Sequence, residues 1–367
     1  MTDYEPLDWP AYFQSKRQYA IPPQKDPTNI VYTLYESNAG RKHLPVIVLI
    51  HGAGHCARSF ALVAQALHAS PNLSLHARIL CPDLRGHGET TSDDQTNLDV
   101  ENLAQDLETL LLSLYGDNDG RYLDKTGKEI GRGPPNIHLV GHSMGGSIVT
   151  ELAYRNRVPN ISSLFVLDMA EANIHVAPGA IRAWSKARPP VCRTITQAIQ
   201  WGVESGTIHN VLSARVSFPG MVVYNPTALV PASPSSNPTH NPNNPPEPTM
   251  GGFTWRTDLL ACEQHWLSWF RNQNHKFLSS VLNPNPNNNP QKIPKMLIYA
   301  EHSRRLDTEL SSARLEGKFE FLRMMQTGHA VQEDDPEAVT NALIQYWQEL
   351  GVCFKPLPKH QEPLLDD

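Results

Sequence analysis

Gly141-His142-Ser143-Met144-Gly145-Gly146 follows the short apolar run Ile137-His138-Leu139-Val140 and precedes Ser147 to Ala153, a segment that can continue as a helix. Strand, tight turn and helix together form the context in which a G-x-S-x-G pattern carries meaning. A serine on a sharp, strained turn needs small neighbours, because the backbones of strand and helix approach closely there. The stretch therefore offers Ser143 as a nucleophile standing above a sheet. The bare five-residue pattern also describes an ordinary connecting turn, so its meaning depends on the rest of the chain.

Upstream, Pro45-Val46-Ile47-Val48-Leu49-Ile50 is apolar throughout, as a central strand covered on both faces must be, and it points to a parallel sheet between helices. It empties into His51-Gly52-Ala53-Gly54-His55. A Gly-rich loop at the carboxyl end of such a strand can turn backbone N–H groups toward a point above the sheet, which is how an oxyanion is held. Ala53 is the candidate donor here, and Met144, directly after the nucleophile, is the second. His51 and His55 are four residues apart, a metal-ligand spacing only on a helix, and two glycines argue against one. Ile30 to Tyr35 and Arg78 to Cys81 read as further strands. The second runs into Asp83-Leu84-Arg85-Gly86-His87-Gly88-Glu89, where Asp83, Arg85 and His87 fit a hydrogen-bonded structural turn better than catalysis.

Leu103, Leu107, Leu110, Leu111 and Leu114 define one face of an amphipathic helix. Gly116 to Pro135 reads as a surface excursion. After the nucleophile helix, Leu164-Phe165-Val166-Leu167 ends in Asp168, at the edge where parallel sheets present functional groups, so Asp168 is a candidate to orient a histidine. Lys295 to Ala300 and Phe319 to Met324 restore the strand pattern, and the second leads to Gln326-Thr327-Gly328-His329 before an acidic helix start at Asp334-Asp335-Pro336-Glu337. His329 is the candidate general base. The order Ser143, Asp168, His329 is that of an α/β-hydrolase triad.

The 367 residues carry a formal net charge of −6 and no long basic run, which leaves no electrostatic footprint for nucleic acid. Five scattered cysteines without C-x-x-C spacing suggest neither a disulfide framework nor a zinc site and fit a reducing compartment. The N-terminus is acidic and polar rather than signal-like, and no apolar run approaches the roughly 18 residues of a membrane span. The expected location is cytoplasmic and/or nuclear, without a membrane partner. The domain plan is an N-terminal arm over 1–27, an α/β-hydrolase core over 28–171 and 293–352, and a loose tail over 353–367. The core is a mostly parallel sheet flanked by helices. A helical cap is inserted over 172–292, rich in tryptophan (Trp184, Trp201, Trp255, Trp266, Trp269). Inside it, 225–252 is dominated by Pro, Asn and Ser and is expected to be disordered.

Several segments join the elbow, Pro6 to Phe13, His51 to His55, Asp83 to Thr90, Ser213 to Ser217, Thr254-Trp255-Arg256, Trp266 to Arg271 and Gly328 to Asp334, and the cap segments among them, at 213–217, 254–256 and 266–271, are the specific part. Together they resemble the protein phosphatase methylesterases, a branch of the α/β-hydrolases that removes the methyl ester from the C-terminal leucine carboxylate of the protein phosphatase 2A catalytic subunit. The resemblance runs over most of residues 6–350, broken by the Asn/Pro tracts. It implies a serine carboxylesterase that works through an acyl-enzyme, without metal or organic cofactor, and takes the phosphatase tail as substrate. It maps the triad acid onto Asp168 and offers Arg215 and Arg256 as substrate contacts in the cap. In many other α/β-hydrolases the acid follows the next sheet strand, where this chain reads Glu301-His302-Ser303-Arg304-Arg305-Leu306-Asp307. Glu301 and Asp307 are therefore rivals, with Ser303 near the usual aspartate. Ala53 replaces a family glycine, which a backbone donor tolerates at negative φ. A small-molecule carboxylesterase, or a non-catalytic protein that sequesters a phosphatase, would be the alternatives.

Overall fold

Every side chain of the Val46–Ile50 run is buried, as a strand covered on both faces requires. The computed structural model describes residues 3–22, 28–40, 44–71, 73, 77–115, 135–230, 249–281, 293–301, 303 and 306–351, and the backbone of 121–123 and 129–132. Among these residues the strands are β1 (Ser15–Ala20), β2 (Val31–Ser37), β3 (Val46–Ile50), β4 (Arg78–Pro82), β5 (Arg121–Leu123), β6 (Glu129–Arg132), β7 (Ile137–His142), β8 (Ile161–Leu167), β9 (Val222–Val230), β10 (Thr249–Trp255), β11 (Lys295–Ala300) and β12 (Glu320–Met324). The helices are α1 (Ala61–Ala69), α2 (Val100–Tyr115), α3 (Met144–Arg155), α4 (Ala177–Ala187), α5 (Ile195–Glu204), α6 (Val211–Met221), α7 (Gln273–Ser279), α8 (Thr308–Leu315), α9 (Val331–Asp334) and α10 (Pro336–Glu349).

Eight strands make one sheet in the order β1-β2-β4-β3-β7-β8-β11-β12. β2 is antiparallel to β1 and β4, and the remaining pairs are parallel. The period-2 geometry of a strand divides its apolar run between two cores. Val46, Val48 and Ile50 join Leu103 and Leu107 of α2 and Ile148 and Leu152 of α3 on one face. Ile47 and Leu49 meet Val63 and Leu67 of α1 and Leu343 and Trp347 of α10 on the other. The leucine stripe of α2 is thus core packing.

The register sets the functional edge. Ile50 lies beside Gly141, and His142 beside Leu167. The loops that follow β3, β7 and β8 therefore emerge side by side at the carboxyl edge of the sheet. β11 and β12 extend the same parallel edge, with Ala300 paired to Met324.

Two segments differ from expectation. The N-terminal arm contains β1, which pairs with β2 from Ser15↔Glu36 to Ala20↔Val31. Its sequence, Ser-Lys-Arg-Gln-Tyr-Ala, lacks the apolar alternation of a half-buried strand, but charged residues are what an exposed sheet edge carries. The Pro/Asn-rich tract expected to be disordered over 225–252 is ordered at both ends, where β9 and β10 pair as a hairpin. Cross-strand partners such as Tyr224 and Phe253 outweigh the local composition there. Residues 231–248, 283–290 and 353–367 lie outside the described residues. The excursion between α2 and β7 carries a second short hairpin, β5 with β6.

Between β8 and β11 the chain forms the cap: α4, α5, α6, the β9–β10 hairpin, a 3-10 segment over Leu260–Phe270, and α7. Its own core joins Ala198, Ile199, Phe218 and Met221. The buried Trp266 and Trp269 instead join the sheet's core, and Trp269 Nε1 donates to the Leu98 carbonyl at 2.7 Å. The cap is thereby keyed to the sheet by aromatic side chains.

Candidate active site

Ser143 links β7 to α3 at φ 51° and ψ −121°, a strained backbone for a residue with a side chain. The strain persists because the surroundings hold it: Ser143 N–H donates to the Leu167 carbonyl at 2.8 Å. The flanking glycines are required by close approach. A Cβ on Gly141 would lie 2.3 Å from the Gly145 carbonyl oxygen, and one on Gly145 would lie 2.3 Å from that of Ile50.

His329 follows β12 and places Nε2 2.9 Å from Ser143 Oγ, while its Nδ1 meets Asp168 Oδ2 at 2.7 Å. With an acceptor carboxylate on one side, Nδ1 carries the proton and Nε2 is free to accept from the serine hydroxyl. Two further bonds hold the histidine loop. His142 Nε2 donates to the His329 carbonyl at 2.9 Å, and Gly328 N–H donates to Asp334 Oδ2 at 2.6 Å.

Asp168 stands just past β8 in the left-handed region, at φ 48°. Its second oxygen, Oδ1, accepts the Ala300 N–H at 2.9 Å and the Ser303 hydroxyl. Burial works against the charged carboxyl, but the bonds from His329, Ser303 and Ala300 prevail and hold its pKa below the usual range. For His329, burial lowers the pKa, and the hydrogen bond and charge of Asp168 more than offset it, so the imidazole is shifted upward. Its side chain keeps 58 % of its surface accessible, where the cavity opens onto it.

The two rivals for the triad acid are engaged elsewhere. Asp307 caps α8 through the Leu310 N–H at 2.9 Å and accepts from Asn274, and Glu301 accepts the Gln326 N–H at 2.8 Å. Ser303, where a carboxylate would stand in many related folds, instead supports Asp168.

Ala53 and Met144 both border the cavity. Met144 is the first residue of α3, where a backbone N–H has no partner within its own helix. Gly52-Ala53-Gly54-His55 is a turn closed by His55 N–H to the Gly52 carbonyl at 3.2 Å, with positive φ at Gly54 and not at Ala53. That is a type II turn, whose third position calls for glycine, whereas the second tolerates alanine. Asp83, Arg85 and His87 are structural. Asp83 accepts the Ala57 and Glu89 N–H groups, Arg85 forms a two-bond pair with Asp106, and His87 Nε2 accepts the Gly54 N–H. His51 likewise accepts from Leu84 N–H.

Arg215 and Arg256, expected at the substrate, do not line the cavity beside the triad. Arg215 pairs with Asp3 at 2.8 Å and donates to the Glu5 carbonyl, tying the N-terminal arm to the cap. Arg256 donates to the Val222 carbonyl at 3.1 Å within the cap. Arg215 is thus engaged by the N-terminal arm and Arg256 by the cap backbone, contacts that motif residues alone cannot show.

The triad opens into a cavity of about 580 Å³. One wall is apolar, formed by Ala177, Ala180, Ile181 and Trp184 of α4 with Met169, Trp269 and Phe270. Of these, Ala177, Ala180 and Ile181 were not singled out from the sequence, and Ser303 was noted there only for its place near the usual aspartate. The i, i+3, i+4, i+7 spacing of 177, 180, 181 and 184 was the available signal. His55 and His142 also line the cavity, and burial depresses both, His55 to about 3, so they remain neutral beside the triad.

A serine on a strained elbow, an imidazole bonded to it, a buried carboxylate behind the imidazole and two backbone donors beside the cavity define a serine hydrolase on the α/β-hydrolase fold. A profile of the alpha/beta hydrolase family matches residues 47–342. Solved structures agree on the fold. An E-2-(acetamidomethylene)succinate hydrolase superposes with a TM-score of 0.63 at 15% identity, covering 91% of this chain and all (100%) of that one. The thioesterase domain from the curacin biosynthetic pathway gives 0.55 at 14% identity, covering 90% and 99%. Among curated proteins, protein phosphatase methylesterase 1 of Homo sapiens is 30% identical over 363 residues, covering 94% of this chain and 85% of the relative. That of Gibberella zeae is 31% identical over 345 residues, covering 94% and 74%. The chain belongs to the protein phosphatase methylesterase family of α/β-hydrolases.

Proposed function

We propose that this enzyme demethylates the carboxyl-terminal leucine methyl ester of the protein phosphatase 2A catalytic subunit. The observation that carries the reading is an aligned Ser143–His329–Asp168 relay opening onto a cavity with one apolar wall, in a chain of this family. Such a wall suits an aliphatic terminal side chain, while the ester carbonyl lies over Ser143.

His329 Nε2 takes the hydroxyl proton as Ser143 Oγ attacks the ester carbon, and Asp168 stabilises the imidazolium that forms. The N–H groups of Ala53 and Met144 receive the oxyanion, each such donor contributing about 2.7–4 kcal/mol in other hydrolases. Collapse breaks the bond to methoxide, which leaves as methanol with the imidazolium proton. Water then gives a proton to His329 and attacks the acyl-serine. The second collapse frees the phosphatase carboxylate and returns the proton to Ser143. The substrate tail is gripped by the cap, with the apolar α4 wall beside the ester.

The test is loss of methyl from a C-terminally methylated phosphatase incubated with wild type and with Ser143→Ala. Equal loss with both removes the mechanism. Preference for short generic esters over the methylated tail identifies a small-molecule carboxylesterase instead.

A further inference from the structure

Arg188, just beyond α4, is 7 % exposed, and among the described residues no carboxylate lies within ion-pair distance of it. A buried guanidinium without a counter-ion is costly, so what does hold it is informative. Its carbon sits 3.9 Å from the ring centre of Trp184 and 4.5 Å from that of Trp255, with Nε left without a partner. Among the described residues, its one hydrogen bond runs from Nη2 to the Gly54 carbonyl at 3.2 Å. On the other side of the same residue, Gly54 N–H donates to His87 Nε2 at 2.9 Å. His87 Nδ1 lies 2.8 Å from the Arg85 carbonyl, so it carries the proton and leaves Nε2 as an acceptor.

Gly54 is the third residue of the turn that presents Ala53. In such turns the central peptide can flip and interchange type II with type I, which changes ψ of the second residue and φ of the third, here Ala53 and Gly54. His87 fixes the N–H of that peptide and Arg188 fixes the carbonyl of the next. The contact is also tight: a Cβ on Gly54 would lie 2.5 Å from Arg188 Nη2.

We propose that Arg188 is a positioning residue for the oxyanion turn: from the cap, it clamps the Gly54 carbonyl against the hold of His87 and so keeps the Ala53 N–H aimed at the forming oxyanion. The unbalanced charge adds a field that favours an anion nearby. Burial first, then a neighbouring histidine, and after it the Arg188 charge lower His55 to about 3 and His87 to about 4. Since Trp184 lines the cavity and stacks on Arg188, the same clamp makes the oxyanion turn sensitive to how the cap is seated on its substrate.

The proposal rests on the serine-hydrolase reading of the site, not on the identity of the ester. The assay is therefore hydrolysis of p-nitrophenyl acetate, together with the affinity of a trifluoromethyl ketone that forms a tetrahedral adduct on Ser143, in wild type and Arg188→Met. Loss of one oxyanion donor costs about 10²–10³ in kcat, and a loosened donor should cost about tenfold or more. The expected result is that fall in kcat with an equal weakening of the ketone, KM staying within about twofold, and partial recovery in Arg188→Lys. A merely structural arginine would instead lower the melting temperature and raise KM without weakening the ketone more than the ester, and that result overturns the proposal. So does kcat and ketone affinity within about twofold of wild type. If Arg188→Met does not fold, Arg188→Gln decides by the same two readings, because its shorter neutral amide cannot reach Gly54. Retained hydrolysis in Ser143→Ala would mark failure of the hydrolase reading rather than of the clamp.

Discussion

Ser303 donates its hydroxyl to Oδ1 of Asp168, on the oxygen opposite the one that meets His329. The carboxylate is therefore held from both sides, and its orientation toward the imidazole does not depend on His329 alone. Ser303→Ala removes one hydrogen bond to a charged group, worth about 1.5–3 kcal/mol. With the Ala300 N–H still in place, kcat should fall by roughly tenfold at an unchanged KM. Steady-state kinetics on an activated ester checks this, and Ser303→Thr should restore most of the rate.

The acid limb of the pH profile should lie above the ordinary histidine value of 6.5, because Asp168 raises His329 and only the neutral imidazole can accept the serine proton. kcat/KM should thus rise with pH through that shifted pKa. Asp168→Asn should move the limb downward and lower kcat by roughly 10⁴. Stability follows the opposite course. A raised folded-state pKa adds stability that is complete below 6.5 and is lost as pH rises through the folded value. The stability difference between wild type and Asp168→Asn should be largest near about pH 5–6 and should shrink toward higher pH. A pH series of urea titrations would show a flat difference if the coupling is absent.

Gly145→Ala should fail for a steric reason. The added methyl would press on the Ile50 and His51 carbonyl oxygens at 2.3 and 2.5 Å, and both belong to backbone fixed by the sheet and the turn after it. Overpacking of this kind costs about 1–3 kcal/mol or more, and it would also displace the elbow. Thermal denaturation together with labelling of Ser143 by a fluorophosphonate would report both effects; normal labelling and melting would contradict the close approach.

Arg85 illustrates a charged motif residue with a structural task. Its guanidinium makes two bonds of 2.7 Å to Asp106, and both side chains are at most 10% exposed. Arg85→Met removes both charge-assisted bonds to a largely buried carboxylate and should destabilise the fold by about 3–5 kcal/mol. The kcat of the fraction that remains folded should be close to wild type. A selective loss of kcat without loss of stability would place Arg85 in the chemistry instead.

The chemistry was legible because it rides on local patterns. The uninterrupted apolar runs of β3, β7, β8 and β11 fix a parallel sheet covered on both faces, and the glycines around Ser143 fix an elbow. Asp168 and His329 follow strands, so their place at the carboxyl edge was readable too. β1 was not, because an edge strand with one hydrogen-bonded side needs no apolar alternation to form. The ends of the 225–252 tract were misread because composition reports the tendency of an isolated segment, whereas β9 and β10 are ordered by each other.

What the sequence by itself determined is the sheet, the elbow and the three members of the relay, since each depends on the periodicity or turn chemistry of a few adjacent residues. Only the tertiary structure decided that Arg215 meets the N-terminal arm and Arg256 the Val222 carbonyl, that Ser303 supports Asp168, and that Arg188 reaches from the cap to Gly54. Those assignments depend on which atoms meet across 34 to 210 positions of chain. A side chain's hydrogen-bonding capacity is spent on whatever the fold brings within about 3 Å, and residue type and spacing carry no record of that choice.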